Sequence, residues 1–152
     1  MNESSIRLVQ RLVRLRRRRE QLDKLALTDV RASQAQLAQR LDHAARAAAQ
    51  QDRAAREHLR SADAAAGAAW LAAYRRNRAD LAGWQMDLRL GLAALRPTVA
   101  RLGSQLAESM ARRKAVEALL GRLAAQRTMA AQARQGRQQD ELRLAMERGR
   151  DG

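Results

Sequence analysis

Trp70-Leu71-Ala72-Ala73-Tyr74-Arg75-Arg76-Asn77-Arg78-Ala79-Asp80-Leu81-Ala82-Gly83-Trp84 holds all three aromatic residues of a 152-residue chain. To either side the sequence is alanine, leucine, arginine and glutamine, all strong helix formers. Asn77 tolerates the left-handed conformation that ends a helix, and Asp80 can cap the next one. The stretch therefore reads as a bend at about 75–80 between two long helical arms, with Gly67 as the rival bend.

The first arm, about 3–74, is free of Pro and Gly up to residue 66, and Asn2 or Ser4 can cap its start. A seam can be traced along it through Leu8, Leu12, Leu15, Leu22, Ala26, Val30, Leu37, Leu41, Ala44, Ala48, Ala55, Ala62 and Ala66. The spacings of three and four are those of a heptad, with one step of four-and-four near Ala26. The second arm, about 81–148, carries Leu81, Trp84, Leu88, Leu95, Val99, Leu102, Leu106, Val116, Leu120, Leu123 and Ala130 in the same rhythm. Pro97 interrupts it, and a kink or short break is expected there. Packing chooses between the bends. Folding near 76–77 sets position i opposite roughly 153 minus i, so the alanines from Ala44 to Ala62 face the large residues from Leu88 to Leu106. The expectation is one all-α domain over 1–152, an elongated antiparallel two-helix coiled-coil hairpin.

Bulk composition agrees. Hydrophobic residues reach 46%, but alanine dominates and aromatics are 2%, too little for a thick globular core. The net charge is +14 with pI ≈ 11.7, carried by arginine except at Lys24 and Lys114. Such a chain is drawn to anionic surfaces. It contains no cysteine, no apolar run near the ~20 residues of a membrane span and no leader-like apolar stretch, so a cytoplasmic protein without membrane insertion is expected.

Little in the chain reads as reaction chemistry. His43 and His58 stand without Cys or carboxylate at metal-ligand spacing, and neither a phosphate loop nor a nucleophile elbow is present. The reading is a non-enzyme with no cofactor and no metal. The run Arg16-Arg17-Arg18-Arg19, with Arg11 and Arg14 before it, is a solvated helix face, a docking surface for an acidic protein groove, or a nucleic-acid or lipid contact. Nucleic acid is the weakest of these, because single-strand binding needs aromatics among the charges. Trp84 and Leu88 share a helix face at i, i+4. They are either seam packing or an interaction hot spot. Trp70 and Tyr74 have the same spacing and can pack against them.

This layout resembles the central-stalk proteins of bacterial type III secretion and flagellar export (the YscO/FliJ-like family). The likeness lies in the basic first arm at Arg7–Arg19, the aromatics Trp70 and Tyr74, and the run Asp80-Leu81-Ala82-Gly83-Trp84-Gln85 opening the second arm. It extends to Arg112–Arg127 and Gln138–Leu142. The resemblance implies a monomeric, non-enzymatic stalk, cytoplasmic and peripheral to the inner-membrane export apparatus. One end would sit in a hexameric export ATPase and promote its activity, with Arg11, Arg14, Arg16, Arg17, Arg18 and Arg19 as the contacting face. Trp84 and Leu88, with Trp70 and Tyr74 beside them, would meet the cytoplasmic domain of the export gate. Secretion chaperones are further partners of the family. A basic nucleic-acid-binding helix protein and a generic coiled-coil scaffold remain the alternatives.

Overall fold

The computed structural model describes residues 3–61 and 64–152, with the side chains of 64–66 left outside that description. Helix α1 spans Glu3–Ser61 and helix α2 spans Ala64–Arg150; no strand occurs among the described residues. The two helices pack against each other as an antiparallel all-α hairpin. At its end, α1 carries His58 and Arg60 in the last turn, where positive charge suits the helix dipole. The Ser61 hydroxyl donates back to the carbonyls of Glu57 and His58, at 3.1 and 3.3 Å.

The bend expected at 75–80 is not there: Tyr74 to Asp80 lie inside α2, and the change of helix falls between Ser61 and Ala64. The expected arms of 3–74 and 81–148 become helices of 59 and 87 residues. Asn77 and Asp80 cost only a few tenths of a kcal/mol each inside a helix. Against that small cost stands packing, since Asp52 binds both Tyr74 and Arg78, and Leu37 meets Gly91. A register of roughly 153 minus i would place Asp52 far from either partner. Of the expected seam residues, Ala62 and the side chain of Ala66 lie outside the described residues. Pro97 neither breaks nor ends α2. It is exposed, as is Ala93, whose carbonyl loses its helical donor and can turn to water.

By their contacts the helices divide into two units, Met1–Leu22 with Leu106–Gly152, and Asp23–Gln105. In the second unit the seam on α1 runs Leu27, Val30, Gln34, Leu37, Leu41, Ala44, Ala48, Gln51, Ala55 and His58, in strict steps of three and four. Its counterpart on α2 runs Leu81, Gln85, Leu88, Leu92, Leu95, Val99 and Leu102. Trp84 is displaced from the expected seam by Gln85. Small residues meet large ones, as the sequence leads one to expect, though in another register. Ala44 is fully buried, and a Cβ built on Gly91 would lie 3.4 Å from Leu37 Cδ1.

In the first unit the expected seam is replaced. Leu8, Leu12, Leu15 and Leu22 stand between 38% and 64% exposed, and Val9, Val13, Arg16 and Glu20 face α2 instead. No four-and-four step is needed, because the same alternation of threes and fours continues through these residues. On α2 the seam is Leu106, Ser109, Arg113, Val116, Leu120 and Leu123. From Ala124 onward every residue is exposed, Ala130 included, although Arg127 still reaches Glu3 at 3.3 Å.

Candidate interaction surfaces

In the second unit the sequence brings aromatic and charged groups together where α1 ends. The His58 ring stacks on Trp70 with centroids 4.5 Å apart, and Trp70 stacks on Tyr74 at 5.6 Å. The Tyr74 hydroxyl donates to Asp52 Oδ1 at 2.6 Å. Arg78 donates to both carboxylate oxygens of Asp52, at 3.0 and 3.4 Å. Hydrogen bonds from Tyr74 first and Arg78 second hold the Asp52 carboxyl below its ordinary range. The same bond to Asp52 pushes the Tyr74 phenol up, because ionising it would set two negative charges side by side.

Trp70 and Tyr74 are thus part-buried members of a network that ties α2 to α1. They do not pack beside Trp84 as one displayed patch. Trp84 is 43% exposed and Leu88 only 6%. Of the expected pair, Leu88 fills the seam and Trp84 stands at its edge. The indole lies between a shallow recess lined by Gln36, Gln39, Arg40 and His43 and a second lined by Gln51, Asn77, Asp80 and Leu81. Sequence reasoning did not single out Asp52 or Arg78. No local signal marks them, since their partnership spans 26 positions and needs the register of the hairpin.

The arginines of the first unit divide as well. Arg11, Arg14 and Arg18 are exposed and make no ion pair among the described residues. Arg17 donates from Nε to Glu117 Oε1 at 2.9 Å. Arg16 occupies a seam position, with its Nε enclosed and without a hydrogen-bond partner. Arg19 is exposed. Inside the seam Glu20 binds Arg113, whose Nη1 also donates to Glu117 at 2.8 Å. Arg17 first, and Arg113 after it, hold the Glu117 carboxyl below its ordinary range. The six arginines expected to form one face therefore include Arg16, a seam residue, and Arg17, a member of an ion-pair network.

Among the described residues no group of three or more His, Cys, Asp or Glu is placed to hold a metal ion, and no helix is long and apolar enough to cross a membrane. No family model, curated protein or solved structure matches the chain. The likeness to the export stalks therefore rests on its own residues.

Proposed function

We propose that this chain is a non-enzymatic central stalk of a bacterial type III protein export apparatus. In this reading it inserts into the hexameric export ATPase, promotes its turnover and links it to the cytoplasmic domain of the export gate. The observation that carries the reading is that the two units of the helical chain expose different chemistry. The first unit displays Arg11, Arg14 and Arg18, while the second displays Trp84. A ring of identical subunits offers the same acidic sites repeatedly, and a helical surface with several equivalent arginines can meet them without one fixed register. Trp84 suits the gate contact because an indole at the edge of a seam supplies a large apolar anchor with a polar handle. The stalk works in the cytoplasm at the membrane-bound apparatus, and secretion chaperones are further partners.

The test is the rate of ATP hydrolysis by the export ATPase of the same organism, measured against stalk concentration at two ionic strengths. Reversing Arg11, Arg14 and Arg18 to Glu should abolish the stimulation, and added salt should imitate the reversal. Single exposed pairs are worth about 0–1 kcal/mol, so single reversals should change little. Full stimulation by the triple variant would falsify the assignment of this surface to the ring.

A further inference from the structure

Four leucines at the start of α1 lie outside the seam, yet they keep heptad order. Leu8, Leu12, Leu15 and Leu22 are spaced as a second seam, with Arg19 at its one polar step. Their neighbour across the hairpin follows from helical geometry. Arg17 and Glu117 meet along one flank of the seam, at 2.9 Å. Leu15 and Leu119 each lie two positions from one of those residues, about 200° round its own helix. Both therefore fall on the opposite flank, and Leu119 is itself 38% exposed. This flank is a groove with leucine on both walls.

The edge of the groove is cationic. Arg11 lies three or four positions from Leu8 and Leu15, and Arg18 stands in the same relation to Leu15 and Leu22, so both border the stripe. From Ser4 to Leu22 the only carboxylate is Glu20, which is 5% exposed and bound to Arg113 within the seam. The exposed surface of this segment therefore presents leucine and arginine, and the two arginines that border the stripe, Arg11 and Arg18, make no ion pair among the described residues.

We infer that the groove formed by Leu8, Leu12, Leu15 and Leu119 takes an acidic amphipathic helix from a partner protein as a third strand of coiled coil. Heptad spacing specifies a helix, since knobs every three and four residues fit the holes of another helix. Arginine at the border specifies glutamate or aspartate at the flanking positions of that helix. A second copy of this chain is disfavoured, because its corresponding surface would bring the same arginines against these. A lipid surface suits one flat apolar face, whereas the leucines here line two walls. The inference does not need the stalk reading.

The probe is a fluorescent four-heptad peptide with leucine at the core positions and glutamate at the flanking ones. Its counterpart carries lysine for glutamate. Anisotropy titration of the full chain should show saturable binding of the glutamate peptide and at least tenfold weaker binding of the lysine peptide. The Leu8→Gln, Leu12→Gln, Leu15→Gln variant should weaken the glutamate peptide by about 100-fold, from the apolar area no longer buried. Because these leucines are exposed in the free chain, its helicity by circular dichroism should be unchanged. The Arg11→Glu, Arg18→Glu variant gives an independent reading and should invert the preference between the peptides. Equal binding of both peptides by the parent chain would overturn the inference, as would undiminished binding by the glutamine variant. Flotation with phosphatidylglycerol vesicles, or leucine-dependent dimers in sedimentation, without peptide binding would assign the groove to a membrane or to a second copy. ATPase stimulation is not read in this assay, so the inference and the stalk reading can fail separately.

Discussion

The two units join the same two helices by different chemistry. The second fills its seam with Ala44, Ala48, Ala55, Leu37, Leu88 and Gly91, and ties its helices by charge at Asp52 and Arg78. The first places Arg16, Glu20 and Arg113 between the helices, beside Leu106, Leu120 and Leu123 of α2, and leaves the leucines of α1 outside. Apolar burial is non-directional and strengthens with area, whereas a buried ion pair must offset the desolvation of both partners. The second unit is therefore organised around its own stability. The first spends contact surface inside on polar groups that fix register, and keeps apolar surface for something else to cover.

The largest expected effect breaks the apolar unit. Leu88→Ala removes a buried seam residue and should lower unfolding stability by about 2–3 kcal/mol in urea titrations followed by circular dichroism. Trp84→Ala, four positions along on the same helix, should shift it by no more than about 0.5 kcal/mol. Similar losses at both positions would mean that the indole belongs to the seam.

A smaller effect is expected in the polar unit. Glu20→Gln leaves Arg113 with Glu117 alone and should lower the melting temperature by less than Leu88→Ala does. Replacing Glu20 and Arg113 together by Leu should restore or raise it, because the desolvation of both charges disappears with them. This pair of substitutions converts the first seam toward the second. A double variant no more stable than the single one would show that the ion pair is a net stabiliser and that the contrast drawn between the units is wrong.

The smallest effects are those of pH on the Asp52 network. The folded-state carboxyl sits below its unfolded value of 3.8, so its contribution is fully present above that pH and is lost as pH falls through the lower folded value. The Tyr74 phenol sits above its unfolded value of 10.0, so its contribution is present below that pH and is lost as pH rises through the higher folded value. Asp52→Asn should flatten the acid limb of the stability profile, and Tyr74→Phe the alkaline limb. Glu117 is depressed in the same sense as Asp52, from 4.5, and Glu117→Gln should flatten the part of the acid limb that belongs to the first unit. An acid limb unaltered by both amide variants would leave neither network a share of it.

The second seam shows how far a sequence reading reaches. Leu81, Leu88, Leu95, Val99, Leu102, Leu106, Val116, Leu120 and Leu123 were all legible, because each is the largest apolar residue at its step and the phase survives Pro97. Trp84 fits a three-and-four step between Leu81 and Leu88, but not one that continues to Leu92 and Leu95. Gln85, although polar, keeps the alternation and takes the position. The candidate surfaces were legible as composition but not as faces. The exposure of Arg11, Arg14 and Arg18 matches their pattern, while the engagement of Arg17, Arg16, Trp70 and Tyr74 depends on residues far away in the chain.

Strong helix formers, the absence of Pro and Gly through residue 66, and sustained threes and fours are local properties, and they suffice for two long helices and an all-α chain. Two further decisions are not local. The first turns of α1 carry two heptad phases, Leu8-Leu12-Leu15-Leu22 and Val9-Val13-Arg16-Glu20, and hydrophobicity alone favours the leucines. One continuous helix can present only the phase that prolongs the seam running from Leu27 to His58, and Glu20 closes on Arg113, 93 positions away. The bend was decided in the same way. Asn77 and Asp80 have the residue types of a turn, but Asp52 needs Tyr74 and Arg78 beside it on an uninterrupted α2. Capping preferences of about 1 kcal/mol give way when a whole seam must come into register.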